Sequence, residues 1–112
     1  SREISANQYY TSKDSEMPIK WTSPEALTYN TFSSKSDVWS FGIVVWEMFE
    51  FGKVPYPKFT NAVAREKVLE GYRLEQPEGC PDSVYTLLWQ CWEEKPDNRP
   101  TFGEIQQTVS SW

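Results

Sequence analysis

The longest apolar run in the chain lies at positions 38–49, which read Val-Trp-Ser-Phe-Gly-Ile-Val-Val-Trp-Glu-Met-Phe. On a helix these side chains would cover nearly every face, which is typical of a helix surrounded by other elements rather than of a surface helix. A buried strand would give a similar run. The length of the run and the capping-box spacing of Ser34 and Asp37 favour a helix, which we expect to stop at Gly52.

Capping residues and apolar spacing predict four further helices. Ser23, Pro24 and Glu25 suit a helix start, because a Ser cap, a first-turn Pro and an acidic residue at the positive helix end are all favourable. The other three predicted helices span 61–70, which ends at Gly71, then 82–92, and finally 101–112, which has a capping box of Thr101 and Glu104.

Residues 1–22 are polar and show no apolar period, so we predict an exposed loop there. An irregular segment of this length is unusual inside a compact domain and indicates a functional or severed segment. Two prolines, Pro55 and Pro57, exclude a helix over 53–57. The sequence therefore predicts an all-α fragment of five helices joined by long loops.

The aromatic content is sufficient for a packed core, with six Trp, six Tyr and six Phe among 112 residues. Disorder is therefore not expected. We predict that the core includes the aromatic residues of two helices: Trp39, Phe41, Trp46, Phe49, Trp89 and Trp92.

The charge and the composition exclude several functions. A net charge of −5 argues against nucleic-acid binding, since such domains usually have a basic face. The sequence contains no run of eighteen apolar residues, so it predicts no membrane span. The lack of histidine excludes Ser-His-Asp and Cys-His catalysis and His-ligated zinc. Cys80 and Cys91 have no metal-ligand spacing and are interpreted as free thiols of a reducing compartment, so we predict no metal site.

Several strings resemble those of protein tyrosine kinases. Residues 17–27, Met-Pro-Ile-Lys-Trp-Thr-Ser-Pro-Glu-Ala-Leu, resemble the end of the activation segment, with Ser-Pro-Glu at 23–25 where the family usually has Ala-Pro-Glu. Residues 34–42, Ser-Lys-Ser-Asp-Val-Trp-Ser-Phe-Gly, resemble the start of the kinase F helix. The resemblance covers essentially the whole chain, and further strings follow in the family order: Val-Pro-Tyr-Pro at 54–57, Gly-Tyr-Arg-Leu at 71–74, Cys-Trp at 91–92 and Arg-Pro-Thr-Phe at 99–102.

The resemblance implies the C-terminal helical lobe of a protein-kinase-like α+β fold. Residues 1–22 would belong to the activation segment and residues 23–112 to the rest of the helical lobe. Individual strings are similar to the Src, Syk and Tec types, and the first residues also suit a receptor kinase, so the subfamily stays open. The glycine-rich loop, the strand lysine and the His-Arg-Asp and Asp-Phe-Gly motifs are absent from the sequence. The resemblance thus implies that ATP and Mg²⁺ bind the intact kinase, and that this fragment has no catalytic residue and binds neither alone.

By the same resemblance, Tyr9 and Tyr10 are activation-loop phosphorylation sites, with Tyr9 as the main one. A phosphate adds about −1.5 to −2 charges and orders loops through new arginine contacts. Arg2 is the expected phosphotyrosine contact.

Three further roles are implied by the resemblance. Glu25 and Arg99 would form a structural ion pair, and Asp37 would accept hydrogen bonds from the catalytic loop. The residues expected to bind the peptide substrate beside its tyrosine are Met17, Pro18, Ile19, Lys20, Trp21 and Thr22. For Lys20, contact with acidic substrate residues and simple solvation stay equally open.

The function implied is transfer of the ATP γ-phosphate to protein tyrosines by the intact protein. Its expected partners are protein substrates and SH2-domain readers of phosphorylated Tyr9 or Tyr10, and its expected location is the cytoplasm or the cytoplasmic face of the plasma membrane. Two alternatives remain. One is a pseudokinase, and the other is a helical interaction module whose phosphorylated loop docks SH2-type domains.

Overall fold

The computed structural model describes residues 19–112, and in that range it contains five α-helices, two short 3-10 turns and no β-strand. The all-α prediction is confirmed for this part of the chain, and each α-helix lies where the sequence predicts one. The helices are α1 (Pro24–Tyr29), α2 (Ser34–Phe49), α3 (Asn61–Glu70), α4 (Asp82–Cys91) and α5 (Phe102–Ser110), and the 3-10 turns are Ile19–Trp21 and Pro96–Asn98.

The predicted exposed loop at residues 1–22 is wrong for its last four residues. Ile19–Trp21 form a 3-10 turn with partly buried side chains, and Thr22 is buried. The turn packs against α2 and α3, which gives this short stretch tertiary support that an apolar period could not indicate. Residues 1–18 lie outside the described part of the chain.

Helix α2 is the centre of the fold and packs against α4. Val38, Trp39 and Ile43 are fully buried on its inner face. Within residues 19–112, the other elements do not cover α2 on every side. Phe41, Val44 and Met48, spaced three and four apart, form an open stripe, and Met48 is 68% exposed.

The aromatic core is smaller than predicted. Trp39, Trp46 and Trp92 are buried as expected. Phe49 is only partly buried, Phe41 lies on the open stripe, and Trp89 is 46% exposed. The Trp89 ring packs edge-on against Tyr85 at 6.4 Å, one turn away on the same helix, so it contributes to a local contact and not to the central core.

The N-terminal caps of α1 and α2 differ from the predictions. Ser23 occupies the cap position of α1, yet its side chain makes no capping hydrogen bond. The cap of α2 is Ser33 and not Ser34. Ser33 Oγ accepts from the Lys35 N–H at 3.2 Å, and the Ser33 N–H donates to Ser36 Oγ at 3.0 Å.

The capping box of α5 is confirmed. Thr101 Oγ1 accepts from the Glu104 N–H at 3.0 Å, and the Thr101 N–H donates to Glu104 Oε1 at 2.9 Å. We expect Thr101→Ala to lower the free energy of unfolding of the purified protein by ~1 kcal/mol, measured by urea denaturation, because the Glu104 N–H loses its acceptor. Thr101→Ser keeps the hydroxyl and is the control. Equal losses in both variants would contradict this account of the cap.

Candidate functional site

Of the predicted substrate-binding residues, the structure describes Ile19, Lys20, Trp21 and Thr22. We call these four residues the platform turn. The other members of the predicted site, Met17 and Pro18, together with Tyr9, Tyr10 and Arg2, lie outside the described residues, and their roles stay predictions.

Trp21 is bound at two points by α2. Its indole Nε1–H donates to Glu47 Oε1 at 2.8 Å. Its backbone carbonyl accepts from Ser40 Oγ at 2.6 Å. Within the platform turn itself, the Thr22 N–H donates to the Ile19 carbonyl at 3.1 Å. Both the side chain and the backbone of Trp21 are therefore fixed relative to the central helix.

Lys20 is bound by the loop that follows α2. Its Nζ donates to the Tyr56 carbonyl at 3.1 Å. Tyr56 is buried and has a positive φ of 50°, which is uncommon for a residue other than glycine. A lysine ammonium has three donors, so this bond leaves the predicted contact of Lys20 with acidic substrate residues open.

Tyr56 also borders a small cavity between the C-terminal end of α2, the 53–59 loop and residues 72–76. The cavity has a volume of about 200 Å³, and its apolar walls include Trp46, Phe59 and Tyr72. Small-molecule sites usually measure about 300–1,000 Å³, so this cavity alone indicates no ligand. Burial raises the pKa of the Tyr56 phenol above its ordinary value of 10.0.

Glu25 and Arg99 form an ion pair that links α1 to the segment before α5. Arg99 donates to Glu25 Oε1 at 2.8 Å and to Oε2 at 2.9 Å, and Ser36 Oγ donates to the same Oε2 at 3.0 Å. The Arg99 side chain is 0% exposed and that of Glu25 is 11% exposed. Burial raises the pKa of the Glu25 carboxyl, but the hydrogen bonds and the charge of Arg99 outweigh it and lower the pKa below its ordinary value.

Arg99 has further acceptors besides the carboxylate. It donates to the backbone carbonyls of Lys35 at 3.0 Å, Glu93 at 2.8 Å and Glu94 at 3.2 Å. Together with the two bonds to Glu25, these bonds match the five N–H donors of a guanidinium group. The guanidinium also lies 5.1 Å from the centroid of the buried Trp39 ring, a favourable cation–π distance. Arg99 therefore joins α1, the start of α2 and the segment after α4.

Asp37 lies in the first turn of α2 and is partly buried. A carboxylate there faces the positive end of the helix dipole. Its expected contact with a catalytic loop stays a prediction.

Sequence reasoning missed the residues that hold the platform turn, namely Ser40, Glu47 and Tyr56. A signal was present for two of them. Ser40 and Glu47 are the only residues with polar side chains in the apolar run 38–49, and they are seven apart, which is close to two helical turns. Polar residues on one face of an otherwise apolar helix indicate a polar partner on that face. The carbonyl of Tyr56 had no such signal, because any residue offers one.

Metal sites, membrane-spanning helices and reactive cysteines were also considered for the described part of the chain. Residues 19–112 contain no group of three or more His, Cys, Asp or Glu side chains that could hold a metal ion. No helix in the same range is long and apolar enough to cross a membrane. Cys80 and Cys91 are buried free thiols, and burial raises the pKa of Cys91 to about 12. A thiol with so high a pKa is a poor nucleophile at neutral pH.

Comparison with known proteins identifies the relatives of the chain. A family model described as protein tyrosine and serine/threonine kinase matches residues 1–109. Tyrosine-protein kinase Fer of Rattus norvegicus is 47% identical over 111 residues, which is 99% of this chain and 14% of that protein. Megakaryocyte-associated tyrosine-protein kinase of Mus musculus is 55% identical over 95 residues, 85% of this chain and 19% of that protein.

A third relative, tyrosine-protein kinase transforming protein Fps of Fujinami sarcoma virus, is 53% identical over 94 residues, 84% of this chain and 11% of that protein. The chain thus spans less than a fifth of the length of these three relatives. The family model, in contrast, matches almost all of the chain, so the chain belongs to the protein tyrosine and serine/threonine kinase family.

Proposed function

We propose that this chain is the C-terminal part of a protein tyrosine kinase, which transfers the γ-phosphate of ATP to tyrosine hydroxyls of proteins. The sequence identity of 47–55% to three tyrosine-protein kinases supports this activity. The observation that favours a role in substrate binding is the platform turn, which is bound to α2 and to the 53–57 loop through Trp21 and Lys20.

In this proposal, residues 17–22 hold the peptide beside its target tyrosine. Phosphoryl transfer depends mainly on positioning and on electrostatic stabilisation, so a preorganised peptide site raises kcat/KM for the peptide. ATP and Mg²⁺ would bind the intact kinase, because the glycine-rich loop, the strand lysine and the His-Arg-Asp and Asp-Phe-Gly motifs that hold them are absent from this sequence. The described residues therefore orient the peptide, and the Glu25–Arg99 pair fixes the helices that support it.

We further propose that phosphorylation of Tyr9, and to a lesser degree of Tyr10, activates the kinase through contact with Arg2. The same phosphotyrosines would be sites for SH2-domain readers. We also propose that residues 1–22 form the activation segment and that residues 23–112 form the remaining helical lobe.

The relatives support a Fer- or Fps-type subfamily rather than the Src, Syk or Tec types that individual strings resemble. Similarity to Fer extends over 99% of the chain. We propose a cytoplasmic location, since tyrosine phosphorylation needs ATP and since the free, buried Cys80 and Cys91 suit a reducing compartment.

The test uses the purified intact protein with ATP, Mg²⁺ and a peptide that contains one tyrosine, and it detects phosphotyrosine by mass spectrometry. The same peptide with phenylalanine at that position is the control. We expect phosphate on the tyrosine peptide alone. We also expect a lower rate for Tyr9→Phe and a smaller decrease for Tyr10→Phe, because Tyr9 has the main regulatory role. Binding of ATP without any transfer would contradict the proposal and favour a pseudokinase.

A further inference from the structure

We propose that Glu47 and Ser40 of α2 are positioning residues that set the affinity for the peptide substrate by fixing Trp21. This inference rests on the proposed function, and it assigns a role to two residues that do not themselves belong to the predicted substrate site.

The geometry places both residues on one face of α2. They are seven residues apart, so they face the same side and are separated by about 10 Å along the helix axis. Ser40 Oγ donates to the backbone carbonyl of Trp21 at 2.6 Å, while Glu47 Oε1 accepts from the indole N–H of the same residue at 2.8 Å. Two contacts at opposite ends of one residue fix both its position and its orientation.

The chemistry of the Glu47 contact makes it the stronger of the two. A hydrogen bond to an ionised carboxylate is roughly twice as strong as one between neutral groups. Glu47 and Trp21 are both partly buried, so water competes less for the bond than it would at an open surface.

The helix that provides these contacts is anchored in the core. The inner face of α2 includes Trp39 and Ile43, which are fully buried. A binding site built on such an element loses less conformational entropy when its ligand binds. Without the two contacts, Trp21 would sample other rotamers, and the peptide would have to order the platform turn on binding.

The test compares variants of the intact protein by steady-state kinetics with a tyrosine peptide. We expect Glu47→Ala to raise the peptide KM about tenfold, with kcat and the KM for ATP unchanged, because a bond to a charged group is lost. Glu47→Gln keeps an oxygen acceptor for the indole and should stay within about threefold of the wild type. Glu50→Gln is the matched control, because the Oε1 of Glu50 lies 3.8 Å from Lys53 Nζ, whereas the Oε1 of Glu47 binds the indole of Trp21.

A double-mutant cycle tests the connection to Trp21. Once Trp21→Phe has removed the donor, adding Glu47→Ala should raise the peptide KM no further. Additive effects of the two changes would overturn the inference. So would a lower thermal stability of Glu47→Ala with an unchanged peptide KM, because that pattern describes a purely structural residue.

A binding measurement separates this inference from the proposed function. Fluorescence anisotropy with a labelled tyrosine peptide reports the affinity without catalysis, and Glu47→Ala should weaken it by the same factor of about ten. A wild-type protein that transfers no phosphate contradicts the proposed function. An unchanged peptide Kd in Glu47→Ala overturns the inference whether or not the protein is active.

Discussion

Replacement of Arg99 with methionine is expected to lower the free energy of unfolding by ~3–5 kcal/mol, because it leaves the Glu25 carboxylate buried without its partner. The side chain of Arg99 is 0% exposed and binds both oxygens of Glu25. Three backbone carbonyls lose their donor in the same variant. Urea denaturation of the purified protein measures the change as a lower midpoint at constant slope.

Two controls show whether burial causes this effect. Lys67→Met removes an ion pair to Glu70 whose side chains are 46% and 69% exposed, and such surface pairs contribute only ~0–1 kcal/mol. Arg99→Lys keeps the charge but not the two-pronged geometry, so we expect an intermediate loss. If Arg99→Met cost no more than Lys67→Met, the Glu25–Arg99 pair would not support the fold.

The Glu25–Arg99 pair should also make the free energy of unfolding depend on pH in the acidic range. The pKa of Glu25 is lowered in the folded protein from its ordinary value of 4.5. The unfolded state therefore binds the proton first as the pH falls, so the contribution of the pair is complete above pH 4.5 and decreases below it. The difference in stability between the wild type and Glu25→Gln, measured by urea denaturation at several pH values, should shrink over that acidic range. A difference that grows as the pH falls would contradict this assignment.

Local signals in the sequence were sufficient to place the helices. Gly71 ends α3 with a φ of 110°, a conformation that favours glycine, and the Thr101–Glu104 box begins α5. Such signals depend on residues within one turn of each other. The all-α fold and the order of the elements could therefore be predicted without knowledge of tertiary contacts.

Tertiary contacts explain what the sequence did not predict. Ser33 and Ser34 both suit the cap of α2. With Ser33 as the cap, its N–H donates to the hydroxyl of Ser36. The same hydroxyl donates to Glu25 Oε2 at 3.0 Å, which is a tertiary contact. The exposure of Phe41 and Trp89 depends on which faces the neighbouring helices cover. The link from Lys20 to the Tyr56 carbonyl joins residues 36 apart in sequence, and no local pattern indicates such a pair.

We also expect Gly42→Ala to lower the free energy of unfolding by ~2 kcal/mol, measured by urea denaturation. A Cβ at position 42 would lie 2.7 Å from Trp92 Nε1 and 3.0 Å from Cys91 Cβ, and both neighbouring side chains are buried, so a shift of either one would disturb the core around it. The overpacking cost of up to about 3 kcal/mol exceeds the gain of about 1 kcal/mol that alanine brings to a helix interior.

Gly103→Ala is the matched control, because Gly103 also lies in a helix, while its added Cβ would come no closer than 3.8 Å to Thr101 Oγ1. There only the helix propensity acts, so we expect a gain of ~0.5–1 kcal/mol. The two substitutions are chemically identical, and their opposite signs would show that close approach of α2 and α4 requires glycine at position 42. A stabilising Gly42→Ala would mean that Trp92 can shift, and the packing of α4 on α2 would then be looser than the distances indicate.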